Sequence, residues 1–327
     1  MIDFRYHLVS IIAIFFALAA GIVLGAGPLK GTVDQTLTEQ TAALRDENQK
    51  LHDQVQAAET DAAYQEAFLG EVTPRLIGDQ LAGENVAVIA MPGADEAMVT
   101  ALREALQHSG AAAELIVRIE PSWTDPDAEP TLDTLATELV SSGTELAENA
   151  DGYLRGATVL SAALLAQPTG EGAVRETIDT AAVTAFEESG LITVEQDSST
   201  APTLAITVAG QVSGDDVDER LARLVTLTKE LDAASAGVVA AGSPDDAGDG
   251  GLLTAIRSDG DAADNVSTVD SAGLPSGRVA VVFAVDEQRA GGVGHYGIVG
   301  DTDSALPPVP DRPESGDSSD GSEGGNG

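Results

Sequence analysis

The first thirty residues contain one long apolar segment. No charged residue lies between Leu8 and Leu29, and a helix over residues 8–27 would rise about 30 Å, enough to cross the hydrocarbon core of a bilayer. The alternative is a cleaved signal peptide, but the apolar core exceeds the usual length of about 7 to 15 residues, and Pro28 follows the candidate cleavage point at Gly27. The pattern therefore favours a retained transmembrane anchor at residues 8–27.

Charges around the anchor predict its orientation. The leader, residues 1–7, carries Arg5, His7 and the free amine against Asp3, whereas the chain beyond the anchor soon becomes acidic. We therefore expect a single-pass cell-membrane protein with a cytoplasmic leader. The bulk of the chain would then be extracytoplasmic.

A heptad repeat follows the anchor. Steps of four and three residues alternate along Leu37, Thr41, Leu44, Asn48, Leu51, Val55, Ala58 and Ala62. The repeat predicts a coiled-coil stalk over residues 32–70, and a single Asn at an a position favours two parallel strands because its amide needs a partner across the seam. We expect a parallel homodimer or a higher homo-oligomer. Because the small alanines weaken the seam, a single amphipathic helix folded on its own domain is the alternative.

From residue 71 onward, short apolar strands alternate with amphipathic helices. Residues 86–90 read as a strand, 95–108 as a helix and 114–119 as a strand, with turn signals between them. The later elements are helical segments within 131–166, helices 173–189, 215–234 and 252–258, and strands near 192 and at 204–208, 237–241, 266–269 and 278–285. This order predicts a Rossmann-like, mainly parallel α/β domain at residues 71–300. Residues 301–327 have too little apolar surface to fold and are predicted to be a disordered acidic tail.

Composition restricts the function further. The 327 residues include 54 acidic and 16 basic residues, a net charge of -38, so nucleic acid and anionic lipid surfaces would repel most of the chain. The apolar content of 43% is enough for a real core, and the absence of cysteine excludes a disulfide framework. We expect a globular, membrane-anchored protein that does not bind nucleic acid.

Two glycine-containing turns are candidate ligand sites. In GGVGHYG, Gly292, Gly294 and Gly297 match the spacing G-x-G-x-x-G of dinucleotide sites. The motif does not join a strand directly to a helix, however, and is predicted to form a terminal turn or hairpin. The turn AMPGADEA after the first strand could offer amides to an anion, but it lacks a P-loop lysine and is predicted to be a simple connection.

Neither the acidic motifs nor the histidines form a known site. The loops with Asp245, Asp246 and Asp249, and with Asp259, Asp261 and Asp264, do not match the twelve-residue calcium loop and are predicted to be solvated. The four histidines, His7, His52, His108 and His295, are widely separated. There is no G-x-S-x-G elbow and no H-E-x-x-H pair. We therefore assign no catalytic, cofactor-binding or metal residues, expect no cofactor, and predict that the chain is not an enzyme.

Several segments resemble the actinobacterial family of the mycobacterial copper transport protein B, MctB. They are FRYHLVSIIAIFFALAAGIVLGAG, ALRDENQKLHDQV, VAVIAMPGADEAMV, ESGLITVEQD, GRVAVVFAV and GGVGHYG. The leader is the most specific of them, because generic anchors have no reason to share Arg5, His7 and Ser10. The resemblance implies an envelope protein associated with copper resistance, proposed to let copper leave the periplasm. The chain is also similar to relatives that act as a membrane partner in cell separation.

The ligand inventory does not indicate a copper site. Copper(I) prefers thiolate and thioether ligands and copper(II) prefers imidazole, whereas the chain offers Met1, Met91, Met98 and four separated histidines. One spanning helix also cannot enclose a channel by itself. Copper homeostasis, with efflux from the periplasm, is thus the function that the resemblance implies. The alternative is a dimeric membrane-anchored scaffold in envelope biogenesis or cell separation, with a cytoplasmic partner at the leader.

Overall fold

The computed structural model describes residues 4–26, 28–141, 144–147, 149–166, 177–196, 198–214 and 216–309. They belong to two compact units, Met1–Gln65 and Glu66–Gly327.

The first unit is helical. Helix α1 (Phe4–Ala26) carries no charged side chain after His7, and its described side chains are exposed. Its segment Phe4–Gly25 is long and apolar enough to cross a membrane. The predicted apolar N-terminal helix is therefore present, while Gly27, the last residue of the predicted anchor, lies outside the described residues.

Helix α2 (Pro28–Ile77) runs through the whole predicted stalk. The seam residues Leu44, Leu51 and Val55 are each more than half exposed in the single chain. The side-chain amide of Asn48 donates to the carbonyl of Leu44 at 3.0 Å, one turn earlier. The helix has the length that the heptad repeat requires, and its pairing with a second copy stays a prediction.

The second unit is built on one sheet. Its described strands are β1 (Val86–Ala90), β2 (Ile116–Ile119), β3 (Ile192–Gln196), β4 (Leu204–Val208), β5 (Val238–Ala241), β6 (Ser267–Val269) and β7 (His295–Tyr296). Their order is β3-β2-β1-β4-β5-β6-β7, and all neighbours are parallel except the antiparallel pair β2 and β3. The prediction of a mainly parallel α/β sheet is confirmed.

Helices cover both faces of the sheet. The described helices of this unit after α2 are α3 (Glu96–His108), α4 (Glu129–Leu139), α5 (Gly152–Leu164), α6 (Thr180–Glu188), α7 (Val217–Ala233), α8 (Leu252–Ser258), α9 (Gly260–Asn265) and α10 (Pro275–Arg289). Alternate residues of a strand point to opposite faces, so Ile89 of β1 belongs to the core on the face of α4 to α9 and Val88 to the core on the face of α3 and α10. Burial on both faces explains why β1 is apolar at every position.

One predicted strand is wrong. Residues 278–285 belong to helix α10, not to a strand. Val279 to Val285 are all at most 5% exposed, because α10 packs against β4, β5, β6 and α3, and a run that is apolar at each position has no period to separate a buried helix from a buried strand. Pro275 at the first helical turn and the length of 15 residues are the features that favour the helix.

Of the terminal turn or hairpin predicted for the glycine-rich end, the hairpin is wrong as a consequence. Helix α10 carries the chain back along the sheet, so β7 joins β6 in parallel as an edge strand. The segment after β7 then lies along this edge, where Asp303 donates its backbone N–H to the His295 carbonyl at 2.8 Å. Of the predicted acidic tail, residues 301–309 are described and 310–327 lie outside the described residues.

Most other predicted elements are present and differ from the structure only in the residues at which they begin and end. Residues 131–166 contain two helices, α4 and α5. The helix predicted at 173–189 begins only at Thr180, where the Asp179 side chain caps it, and Thr177 forms an isolated bridge with Thr200. Residues 167–176 lie outside the described part of the chain.

Two loops meet closely where the strand order reverses, between β1 and β4. Ala94 and Gly210 form an antiparallel bridge, and a Cβ on Gly210 would overlap the backbone of Gly93 and Ala94. Gly93 has a φ of +78°, and a Cβ there would lie 2.6 Å from the carbonyl oxygen of Gln211. Only glycine allows this approach.

We therefore expect Gly210→Ala to lower the free energy of unfolding of the second unit by about 2–4 kcal/mol, because the two loops must separate to admit the methyl group. Fluorescence of the single, fully buried Trp123 during urea unfolding of the full chain measures this change. Gly260→Ala is the control, since no atom lies near its added Cβ, and it should change stability by less than about 1 kcal/mol. Equal effects of the two substitutions would contradict the loop contact.

Candidate functional site

The carboxyl ends of the parallel strands are the first place to seek a site. In this architecture ligands usually bind there, at the point where the strand order reverses. Here the Gly93 and Gly210 backbones fill that point, so no crevice separates the two loops.

The nearby helix terminus is also occupied. The Asp95 carboxylate accepts a hydrogen bond from the Ala97 N–H at 2.7 Å and caps α3, and Glu96 adds a second negative charge in the first turn. Carboxylates at a helix N-terminus satisfy its free N–H groups and repel an incoming phosphate. The turn AMPGADEA thus joins β1 to α3 with a cap supplied by its own side chain.

The most polar buried cluster of the carboxyl edge lies at β6 and β7. Asp270 follows β6 directly, its side chain is 0% exposed, and its Oδ2 lies 3.2 Å from Nη2 of Arg257 in α8, whose side chain is 8% exposed. The Asp270 carboxylate also accepts hydrogen bonds from the backbone N–H groups of Ile298 at 2.7 Å and Val299 at 3.1 Å. Arg257 Nη1 donates to the Val299 carbonyl at 2.8 Å. The buried ion pair therefore holds the segment after β7 against the sheet.

The glycines of GGVGHYG have a structural role in this cluster. Gly297 has a φ of +140°, and a Cβ on it would overlap the Asp270 carboxylate. A Cβ on Gly294 would overlap the phenol of Tyr296, which donates to Glu287 Oε2 at 2.6 Å. Burial first, and then Glu287, raises the pKa of Tyr296. The spacing G-x-G-x-x-G here reflects packing at an edge strand and lies away from any strand-to-helix turn.

His295 is held in the same network. Arg257 Nε donates to Thr268 Oγ1 at 2.8 Å, and Thr268 Oγ1 lies 3.1 Å from His295 Nδ1. Because the threonine oxygen already accepts from Arg257, its hydroxyl proton can donate to a neutral imidazole. Burial first, and then the charge of Arg257, lowers the pKa of His295, so the ring stays neutral to lower pH than usual.

A cavity of about 530 Å³ opens beside this network. Arg257 and His295 lie on its inner side, and Asp249 and Asp301 lie at its exposed rim. The Arg257 guanidinium is already used by Thr268, Val299, Asp270 and Tyr296. The geometry is that of a buried joint between elements, in which the guanidinium is held by groups of the chain itself.

The two acidic motifs differ from their predicted form. Asp246 is 4% exposed and accepts from the N–H of Ser243 at 2.8 Å, its hydroxyl at 2.7 Å and the side-chain amide of Gln211 at 2.8 Å, so for Asp246 the predicted solvated loop is wrong. Asp246 forms a capping box with Ser243 at the start of a short helical turn. Asp245 and Asp249 are exposed, as predicted.

In the second motif, Asp259 caps α9, and Asp261 and Asp264 lie on that helix and not in a loop. Short helix α9 was missed in the sequence because it contains two aspartates and one asparagine, which are poor helix formers.

The described candidate copper ligands are spread over several elements. Met91 is fully buried against α4 to α9, and Met98 packs against the core on the opposite face of the sheet. His7, His52 and His108 lie on three different helices, and Met1 lies outside the described residues. Within the part of the chain that the structure describes, no group of three or more histidine, aspartate or glutamate side chains is placed to hold an ion.

Neither Arg257 nor Asp270 was a predicted site residue. The two lie in different elements, and no sequence motif joins them. The sequence contained one signal for Asp270, because an acidic residue directly after a buried parallel strand occupies a position where functional carboxylates occur in α/β folds.

Known proteins are similar in sequence to nearly the whole of this chain. The family model described as "Copper transport outer membrane protein, MctB" matches residues 1–307. The chain is 28% identical over 311 residues to proteins named Copper transporter MctB from Mycobacterium tuberculosis and Mycobacterium bovis, covering 91% of this chain and 96% of each relative. It is 26% identical over 322 residues to the Mycobacterium leprae protein of that name, with the same shares covered. The matched region runs from the leader to the segment that Asp270 holds, and the chain belongs to the MctB family.

Proposed function

We propose that this chain is a single-pass envelope protein that acts in copper homeostasis by helping copper to leave the periplasm. The observation that carries the proposal is the family match over residues 1–307, together with relatives that are named copper transporters. The apolar helix α1 supports anchoring in the cell membrane. In this proposal the leader is cytoplasmic, the α/β unit is extracytoplasmic, and the chain catalyses no reaction.

Copper is the cargo in this proposal, and its path would be shared between several chains. One spanning helix cannot form a channel, and the described residues offer no group of three histidine, aspartate or glutamate side chains for an ion. Copper would then pass through an assembly to which this chain contributes an anchor, a stalk and a surface.

The simplest form of this assembly is a parallel homodimer joined through the stalk. Leu44, Leu51 and Val55 leave more than half of their surface in water in the single chain, and burying such side chains against a second helix gains about 1.5–3 kcal/mol for each fully buried one. Asn48 would exchange its bond to the Leu44 carbonyl for a partner across the seam.

The second candidate function is a dimeric scaffold in envelope biogenesis or cell separation, without transport. It is favoured by the same stalk and by the leader, where the aromatic residues Phe4 and Tyr6 flank Arg5. Aromatic residues beside a cation are a suitable contact for a cytoplasmic partner.

Deletion of the gene separates the two functions. If the chain serves copper homeostasis, the mutant accumulates cell-associated copper and grows poorly under a copper challenge, while its cells separate normally at ordinary copper levels. Metal analysis of washed cells and microscopy without added copper are the two measurements.

The control is complementation with the full chain, which must restore both phenotypes. Chaining at ordinary copper levels, with normal cell-associated copper, would contradict the copper role and support the scaffold.

Single cysteines test the stalk cleanly because the sequence contains none. Leu44→Cys or Leu51→Cys, at d positions, should crosslink two copies in intact membranes, since d residues face each other in a parallel pair. The matched control is Asp46→Cys, at the outward f position of the same heptad, which should crosslink far less. Gel mobility without reductant gives the yield, and similar yields at the three positions would contradict the parallel dimer.

A further inference from the structure

A long groove lies on the outer face of α7, away from the sheet. It has a volume of about 530 Å³ and follows α7 from Asp218 to Glu230, a distance of about 18 Å along the helix. One wall comes from the start of α5 and the other from α8, and both helices pack against α7. The groove therefore runs between α5 and α8, and α7 forms its floor.

Small side chains leave room along this floor. Ala222 is exposed, and Thr226 and Ala255 are half-buried, so none of them rises far above the helix backbones. Leu221 and Val225 lie beneath them at 4% and 5% exposure and give the groove an apolar base. Small contact residues let helix axes approach to about 8–10 Å.

The rim of the groove is acidic. Its lining includes the carboxylates of Asp151, Asp218, Glu230 and Asp259 against one ammonium group, Lys229. That ammonium is already bound to Asp259 at 3.3 Å and to Asp261 at 3.1 Å. A ligand in the groove therefore meets an apolar base between negative edges.

We propose that this groove binds a helix of another protein, with small or apolar residues along its inner face and lysine or arginine along its edges. The length, the two parallel walls and the apolar base fit the helix-in-groove mode of recognition. The rim carboxylates would orient the helix by pairing with its cations.

The acidic rim of the groove favours a helix of another protein over a second copy of this chain. A second copy of this chain and its own acidic C-terminal residues carry the same sign as the rim, in a chain of net charge -38. Like charges brought together across an interface oppose binding.

The test uses the full chain in neutral-lipid nanodiscs and two synthetic helices of about 18 residues, enough to span the groove. One peptide has leucine and alanine on one face and lysine on its edges, and the other has glutamate in place of every lysine. Fluorescence anisotropy of the labelled peptides is expected to show saturable one-to-one binding of the lysine peptide and none of the glutamate peptide.

Two variants place the binding in the groove. Ala222→Trp fills the floor and should weaken binding at least tenfold, whereas Ala181→Trp, at an exposed alanine of α6 outside the groove, should leave it unchanged. Asp218→Lys reverses a charge at an exposed rim position without filling the floor, and it should also weaken binding.

Three results would overturn the proposal. They are equal binding by wild type and both groove variants, equal binding of the two peptides, and no saturable binding of the lysine peptide. The mass of the assembly is also measured without peptide. If Ala222→Trp changes that mass, the groove is an interface between copies and the proposal is wrong.

Discussion

The buried carboxylate of Asp270 is the interaction on which the C-terminal part of the α/β unit depends. A buried charge is costly unless it is paired and hydrogen-bonded, and Asp270 meets that requirement with Arg257 and two backbone N–H groups. Since Arg257 also binds Thr268 and the Val299 carbonyl, one ion pair ties α8, β6 and the segment after β7 together. Gly297 is glycine because this carboxylate occupies the space of a Cβ.

Contacts within the chain limit what the carboxyl edge of the sheet can bind. At the carboxyl edge the Gly93 and Gly210 loops touch between β1 and β4, and the Asp270 network fills the ends of β6 and β7. The positions that usually receive a nucleotide in this architecture are thus occupied by the chain itself. In the proposed function the unit acts through its outer surfaces, which is consistent with the α7 groove.

Local patterns predicted most of the fold. Strand β4, with its apolar run, and helix α8, with its preceding glycines, were found because turn residues mark their ends. Helix α10 was missed since Val279 to Val285 are apolar at every position, and the parallel pairing of β7 was missed with it because that pairing depends on the crossover.

The site was less predictable than the fold. The glycine spacing was predicted from its context to lie outside a strand-to-helix turn, but the carboxylate that requires glycine at position 297 belongs to Asp270, 27 residues earlier in the sequence. Contacts such as Arg257 with Asp270 depend on the register of α8 against β6, which no local pattern contains. The α7 groove likewise arises from the spacing of three helices and not from any motif.

The stability of Asp270→Asn tests most directly whether the glycine-rich end is a structural joint. The amide leaves Arg257 without its buried counter-charge and sets an N–H₂ group where an oxygen accepts hydrogen bonds. We expect urea unfolding of the full chain, followed by Trp123 fluorescence, to show a loss of about 3–5 kcal/mol. Asp249→Asn, at the exposed rim nearby, should change stability by less than about 0.5 kcal/mol. If Asp270→Asn stays within about 1 kcal/mol of the wild type, the buried pair is not what holds this end of the fold.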